Sequence, residues 1–290
     1  MNAAAGPVVP ETAFAAARPA TVDLSAEVYE LIRDFIYRET GIHLGDRKQS
    51  LVLSRLRRRV DLVTHGDFRE YYRLIASGPS PERQFAIDRL TTNETHFFRE
   101  PAHYRWFGAE LQARASTRGK VRIWSAASST GEEAYSLAMV CMDRLGGAAR
   151  FEIYASDVSQ GVVETARRGV YPLEQAQEIP DYYRRRYCLR GVRSMAAYFR
   201  MDPTILSAVR FERGNLLDCA DVPGAFDYIF LRNVMIYFDR QTKEKVVANL
   251  SERLLPGACL ITGHSESLQG ISTGLERVQP SIYRRAKNVS

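Results

Sequence analysis

The chain has 290 residues, which is enough for one large domain or two modest domains with a substantial core. Hydrophobic residues make up 45% of it and charged residues 26%, as is ordinary for a soluble globular protein, and no apolar run approaches the roughly 20 residues that span a bilayer. The formal net charge of +6 favours acidic partners.

The amino-terminal segment and the cysteines bear on location and on metal binding. Residues 1–24 lack the basic stretch of a signal peptide and are interrupted by Pro7, Pro10 and Pro19, so a disordered tail is predicted. The four cysteines are scattered without a Cys-x-x-Cys pair, and the five histidines do not cluster along the sequence. We therefore expect a reduced, cytoplasmic protein without a metal site.

Residues 25–90 show helical spacing and no strand pattern. Apolar residues recur at helical intervals from Ser25 to Thr40, and Gly41 closes that segment. A second helix is predicted in the basic segment 45–60, and further helices at 67–77 and 82–90. The pattern predicts a small all-α domain at 25–90, followed by a linker and a connecting helix at 91–118.

From residue 119 onwards, strand and helix patterns alternate. Strands are predicted at 121–124, 151–155, 209–212, 226–231, 258–262 and 282–283, and helices at 132–145, 159–168 and 241–254. Alternating β and α units predict a doubly wound, mostly parallel sheet with helices on both faces, that is, a Rossmann-like domain at 119–290. A Tyr- and Arg-rich stretch at about 171–207 does not fit, and is predicted to be a small antiparallel β insertion.

The first predicted strand leads into a loop of small residues, Ser125 to Gly131, and then into a helix that begins with Glu132 and Glu133. Small side chains let a ligand approach the backbone closely. Acids at a helix start would repel a pyrophosphate, so a cationic or hydroxyl-rich ligand is a better match. Alternatively, the two glutamates only complement the helix dipole.

Two further strands also end in polar residues. Asp157 ends the second strand, where a Rossmann-like half usually binds a ribose diol, although it could belong only to the next helix's N-cap region. Arg232 and Asn233 end the 226–231 strand, with Asn215 and Leu216 on an adjacent loop; the plain alternative there is an ordinary polar loop. Because ligands bind beyond the carboxyl ends of such strands, these residues predict a nucleoside site without phosphate chemistry, as S-adenosylmethionine requires.

Six motifs occur in order: TTNETHFFRE, SSTGEEAYS, YASDVS, NLLD, FDYIFLRNVMIYFD and GHSESL. From about Leu31 to Tyr283 the chain resembles the CheR family of chemotaxis receptor methyltransferases. The resemblance implies a cytoplasmic, monomeric protein-glutamate O-methyltransferase that uses S-adenosylmethionine, yields S-adenosylhomocysteine and needs no metal. It also implies an acidic, helical cytoplasmic region of the receptors as partner, without nucleic acid and without membrane insertion.

The resemblance further implies site residues. It places cofactor contacts at Asn93, Thr95, Arg99, Glu133, Asp157, Asn215, Leu216, Arg232 and Asn233. It places Arg99 and Tyr237 beside the transferred methyl group, and therefore as the catalytic pair.

The basic helix matches the receptor-facing helix of the family. Lys48, Arg55 and Arg59 are spaced seven and then four residues apart, so they share one helical face and are expected to bind the receptor. Alternatively, this basic face is only solvated, or it binds nucleic acid. The Gly-x-Gly turn of tether-docking members is absent around Gly191, so we expect recognition of the receptor body rather than its C-terminal tether.

Two rival functions follow from the same features. The basic helix could attract RNA to an RNA methyltransferase, but the sequence shows no base or dedicated motif for methylation at nitrogen. A non-catalytic, cofactor-sensing module is the second alternative. The intact set of Asn93, Arg99, Asp157, Asn233 and Tyr237 argues against a degenerate site.

Overall fold

The computed structural model describes residues 23–114 and 119–287. Most of the predicted disordered tail, residues 1–22, lies outside this part of the chain, whereas Leu24 is buried in the core. Within the two described ranges, no helix combines the length and the apolar character needed to cross a membrane.

The amino-terminal part is all helical, as predicted. Its helices are α1 (Ala26–Thr40), α2 (Gln49–Thr64), α3 (Phe68–Ala76) and α4 (Pro81–Leu90). The side chains of Ser25 and Ser80 cap α1 and α4 by accepting N–H hydrogen bonds, and Pro81 follows at the first helical position. Gly41 ends α1 with a φ of 75°, and a Cβ there would lie 2.6 Å from Thr242 Cγ2, so only glycine fits this close approach to the second domain.

The remainder is an α/β domain with an inserted subdomain. In chain order its elements are α5 (Pro101–Arg114), β1 (Val121–Ala126), α6 (Glu132–Leu145), β2 (Phe151–Asp157), α7 (Gln160–Arg168), β3 (Val170–Pro172), α8 (Asp181–Tyr187), β4 (Cys188–Arg190), β5 (Tyr198–Met201), α9 (Pro203–Leu206), β6 (Val209–Arg213), β7 (Phe226–Leu231), α10 (Arg240–Glu252), β8 (Leu254–Thr262), β9 (Leu275–Gln279) and β10 (Ile282–Arg285).

The main sheet has seven strands in the order β6-β2-β1-β7-β8-β10-β9. The first five run parallel, and β10 and β9 close the sheet as an antiparallel pair. The predicted doubly wound fold is therefore confirmed. Strand order reverses between β1 and β7, and this reversal opens a crevice outside the carboxyl ends of the strands.

Both faces of the sheet are covered. In β7, Ile229 and Leu231 pack into one core with the helical domain and α10, whereas Tyr228 and Phe230 pack into a second core with α5 and α6. A strand that is buried on both faces is apolar at most of its positions, which explains the apolar, aromatic-rich run that predicted β7. Its one charged residue, Asp227, accepts the Arg122 N–H (3.0 Å).

The insertion is a three-stranded antiparallel sheet in the order β3-β5-β4, which confirms the predicted small β unit. Two predictions were wrong in detail. Helix α10 ends at Glu252 rather than residue 254, because Leu254 already begins β8. Strand β9 was not predicted, because it is mostly exposed and carries no alternating apolar pattern.

Candidate functional site

A pocket of about 850 Å³, including its open mouth, lies at the carboxyl ends of β1, β2, β6 and β7. Its walls include every residue expected to contact the cofactor or the methyl group: Asn93, Thr95, Arg99, Glu133, Asp157, Asn215, Leu216, Arg232, Asn233 and Tyr237. The structure thus brings together residues from five separate segments of the chain. Their individual roles toward a ligand stay predictions.

The loop after β1 has an unusual backbone. Ala127 and Ser129 have positive φ angles of 66° and 49°, and Gly131 follows at 98°. Left-handed conformations of non-glycine residues cost about 1–3 kcal/mol and concentrate at functional sites. Hydrogen bonds hold the loop in place: the Ser129 N–H donates to Asp157 Oδ2 (2.9 Å), and the Ser129 hydroxyl donates to the Asn93 carbonyl (2.7 Å).

Asp157 is buried at the end of β2. Besides the Ser129 N–H, its carboxylate accepts the Ser159 N–H (3.0 Å). Burial raises the pKa of Asp157, while these N–H donors act in the opposite direction. Asp157 also lines the pocket. Asp157 therefore does more than begin the next helix.

Arg232 is the centre of a buried ionic cluster, with its side chain only 2% exposed. Its guanidinium donates to Glu133 Oε2 (2.8 Å), to Glu100 Oε2 (3.1 Å) and to the Arg99 carbonyl. The Ser125 hydroxyl donates to the other Glu133 oxygen (2.8 Å). Burial raises the pKa of Glu133, and the Arg232 charge opposes that rise. Glu133 is thus the ion-pair partner of Arg232, beyond any interaction with the helix dipole.

The segment that carries Arg99 packs down onto the α/β domain, as its two phenylalanines suggest. Phe97 and Phe98 are buried, and the Phe98 N–H donates to the Ser136 hydroxyl of α6 (3.0 Å). Arg99 itself lies between two residues of positive φ, Phe98 (53°) and Glu100 (58°), and donates to the Glu94 carbonyl (3.1 Å). This strained turn directs a half-exposed guanidinium to the pocket wall.

Glu266 is a structural residue that the sequence motifs did not single out. It is buried, and its carboxylate accepts the N–H groups of Asn233 (2.7 Å), Gly263 (2.8 Å) and Ile236 (3.3 Å). Asn233 has a φ of 59°, so Glu266 stabilises a strained turn directly before Tyr237. An acidic residue in a loop has no periodicity, and only its place in GHSESL could have indicated it.

The helical domain also contributes to the pocket, which was not predicted. Thr40 and Ile42 line it. The Asn215 amide donates to the Glu39 carbonyl (2.7 Å) and accepts the Leu217 N–H (3.0 Å). The side chain of Asn215 therefore joins the two domains.

The three predicted receptor-binding residues differ in their surroundings. Lys48 is exposed, but it lies in a 3-10 turn before α2, so it does not share a regular helical face with Arg55 and Arg59. Arg55 donates to the carbonyls of Leu90 (3.1 Å) and Thr91 (2.9 Å) at the end of α4. These contacts fix the junction that leads into the pocket segment.

Arg59 is engaged inside the helical domain as well. It forms an ion pair with Glu82, with 2.9 Å between Arg59 Nε and Glu82 Oε1, and this hydrogen bond lowers the pKa of Glu82. By contrast, Arg57 and Arg58 of α2 and the neighbouring Arg89 are exposed. The freely accessible charge of this surface therefore lies mainly on residues other than Arg55 and Arg59.

Two histidines that are far apart in the sequence lie together in the structure. The rings of His103 and His264 lie 4.7 Å apart, and together with Glu100 they form a group of potential metal ligands within 4.8 Å. However, Arg232 already binds the Glu100 carboxylate, and burial lowers the pKa of His103 to about 4. The absence of a metal stays a prediction.

A doubly wound sheet, with a buried acid at the second strand end and a pocket lacking phosphate-binding features, defines a Rossmann-like methyltransferase class of protein. The chain matches the CheR methyltransferase SAM binding domain over residues 93–283 and the CheR methyltransferase all-alpha domain over residues 27–91. It therefore belongs to the CheR methyltransferase family, and is an S-adenosylmethionine-dependent methyltransferase.

Curated relatives agree. The chain is 39% identical over 263 residues to chemotaxis protein methyltransferase 2 of Pseudomonas aeruginosa, which covers 90% of this chain and 93% of that protein. It is 37% identical over 268 residues to the chemotaxis protein methyltransferases of Salmonella typhimurium and Escherichia coli, covering 91% of this chain and 92% and 93% of those proteins. The resemblance noted from the six motifs is confirmed.

Proposed function

We propose that this protein transfers a methyl group from S-adenosylmethionine to glutamate side chains of chemotaxis receptors, in the cytoplasm and as a monomer, for sensory adaptation. The products are glutamyl methyl esters and S-adenosylhomocysteine. The observation that carries the proposal is the pocket, which Arg99, Tyr237, Asp157 and Glu133 all line. The names of the relatives, which are methyltransferases of chemotaxis, support the choice of substrate.

The side chains that line the pocket suit S-adenosylmethionine. Asp157 offers acceptors for ribose hydroxyls, and the small side chains of Ala127 and Ser129 allow close approach to the backbone. Glu133 at the start of α6 lines the pocket, paired with Arg232, and a carboxylate at the start of a helix disfavours phosphate groups there. When bound, S-adenosylmethionine supplies a methyl group activated by a positively charged sulfur.

Little acid–base chemistry is required of the protein. A glutamate side chain has an ordinary pKa of about 4.3 and is already ionised at neutral pH, so no general base is needed. We propose that Arg99 orients this carboxylate from the side, since a direct pair along the line of attack would weaken the nucleophile. We propose that Tyr237 packs or hydrogen-bonds beside the methyl group. Positioning and exclusion of water then supply most of the acceleration.

The receptor is proposed to approach over the basic surface of the helical domain. Lys48, Arg55 and Arg59 were predicted for this role, and the exposed charges of Arg58 and Arg89 extend the surface. An acidic helical region of a receptor complements it. RNA would be attracted by the same charges, but the names of the relatives, which are methyltransferases of chemotaxis, favour a receptor.

The test is transfer of a labelled methyl group to membranes that contain receptors from the same organism. We expect label on the receptor that base releases as methanol, because carboxyl esters are hydrolysed by base. The variant Arg99→Ala should lose most turnover while it retains S-adenosylhomocysteine binding. Label that resists base would contradict a carboxyl methyl ester, and label on RNA would contradict a receptor substrate. Full turnover by Arg99→Ala would contradict the role of Arg99.

A further inference from the structure

The loop that carries Tyr237 is fastened to the helical domain at two points. Ile42 pairs with Phe238 as an isolated antiparallel bridge, and the His43 N–H donates to the Tyr237 carbonyl (2.9 Å). The backbone of Tyr237 is therefore bonded directly to the segment that follows α1. This contact joins residues almost 200 positions apart in the sequence.

The second point is a hydrogen bond between side chains. The hydroxyl of Tyr37, in the last turns of α1, donates to Asp239 Oδ2 (2.8 Å). The other oxygen of Asp239 accepts the Thr242 N–H (2.8 Å) and so caps α10. The Thr242 hydroxyl in turn donates to the Tyr37 oxygen (3.3 Å). Asp239 is thus held between the helical domain and the start of α10, two residues after Tyr237.

The close fit of the two domains at this point supports a fixed arrangement. Gly41 permits α1 to end against Thr242, where a side chain would collide. On its other flank, the same loop is held by Glu266. The loop is therefore braced on one side by its own domain and on the other side by the helical domain.

We infer that Tyr37 is a positioning residue for methyl transfer: through Asp239 it sets the loop that presents Tyr237, so the helical domain completes the transfer site as well as facing the receptor. The inference rests on the proposed function, in which Tyr237 lies beside the methyl group. This role of the end of α1 is separate from lining the pocket and from binding the receptor.

The test compares Tyr37→Phe with Tyr72→Phe, a half-buried tyrosine of α3 in the same domain that serves as the matched control. Loss of a hydrogen bond to a carboxylate should lower kcat for receptor methylation by about tenfold, with the dissociation constant for S-adenosylhomocysteine unchanged. Asp239→Ala, which removes the acceptor of Tyr37 together with the cap of α10, should cause at least as large a loss, and Tyr37→Phe added to it should cause no further loss, because the contact is already absent. Additive losses, or an equal effect of Tyr72→Phe, would overturn the inference.

A second readout does not depend on receptor methylation. In the complex with S-adenosylhomocysteine, amide hydrogen exchange at His43 and Thr242 should become about tenfold faster in Tyr37→Phe and stay unchanged in Tyr72→Phe. If the wild-type protein fails to methylate receptors, this exchange still decides whether Tyr37 holds the loop. Unchanged exchange at both amides would refute the positioning role whatever the substrate.

Discussion

Asp157 shows how burial and hydrogen bonding together prepare one residue for a ligand. Its carboxylate is anchored by the N–H groups of Ser129 and Ser159 and lines the pocket, where we propose that it accepts ribose hydroxyls. Protonation turns one of its oxygens into an O–H donor and weakens that oxygen as an acceptor. Because burial raises its pKa, the neutral form appears at a higher pH than for an ordinary aspartate.

We therefore predict that cofactor affinity depends on pH through Asp157. Affinity is complete above the raised pKa and is lost as pH falls through it, since protonation removes an acceptor. Asp157→Asn should weaken S-adenosylhomocysteine binding by at least about tenfold at neutral pH and abolish this pH dependence, because its amide would face a backbone donor. Calorimetric titration at several pH values measures both effects.

The matched control for this experiment is Asp46→Asn, since the side chain of Asp46 is 93% exposed and does not line the pocket. It should bind as the wild-type protein does. A pH profile that is identical in the wild-type protein and Asp157→Asn would show that another group controls the affinity.

At the scale of single residues, the sequence could predict those that belong to a recognisable motif. It could not predict those whose importance depends on a hydrogen-bond partner from a distant segment. The ten pocket residues were identified from strand ends and family motifs. Glu100 and Glu266 act through Arg232 and Asn233, each through contacts formed only when distant segments meet. No local pattern encodes such a pairing.

Elements that end at one edge of the sheet create the site. Strands β1, β2, β6 and β7 each deliver a polar loop to the switch point, and parallel pairing forces those loops to meet. The sequence could predict this arrangement, because buried strands read as apolar runs and their polar ends stand out. It could not predict β9 or the extent of β8, which lack such contrast.

Helix α2 combines two tasks on different residues. Arg55 and Arg59 hold the helical domain together, whereas Arg58 of α2 and the nearby Arg89 of α4 are exposed. Spacing alone could not distinguish them, because both sets lie on a basic helix with similar neighbours. Replacing Arg59 by an acidic residue would leave the largely buried carboxylate of Glu82 without its ion-pair partner. Such a change would destabilise the fold itself.

We predict that Arg58→Glu combined with Arg89→Glu raises the apparent KM for receptor by about tenfold and leaves cofactor affinity unchanged, because exposed charges act mainly on encounter. Steady-state kinetics with receptor membranes measure this effect. Arg277→Glu on the exposed strand β9 makes the same kind of charge change elsewhere and should have little effect. Equal KM values for all three proteins would contradict receptor binding on this surface.

The whole molecule joins an all-α domain to a SAM binding domain. Its first core runs from α1 through the sheet to α10, so the two domains share apolar packing rather than a flexible linker. Sequence patterns could predict each domain. The interface between the domains, which includes the bridge between Ile42 and Phe238, depends on contacts between remote segments. This is why the contribution of the helical domain to the pocket was missed.

The net charge of +6 leads us to predict how receptor binding depends on salt. Exposed charges are screened over a Debye length of about 10 Å at 0.1 M salt, whereas enclosed groups are screened much less. Raising the salt concentration should therefore increase the apparent KM for receptor and change the S-adenosylhomocysteine dissociation constant only slightly. Receptor kinetics that do not respond to salt would contradict electrostatic recognition.

The most direct test of the account is peptide mass spectrometry of a receptor's cytoplasmic region after incubation with the protein and S-adenosylmethionine. We predict a gain of one methylene on glutamate side chains, which base treatment reverses and Arg99→Ala largely abolishes. If the protein binds the cofactor but leaves every glutamate unmodified, or methylates a different type of residue, the proposed glutamate methyl transfer is wrong.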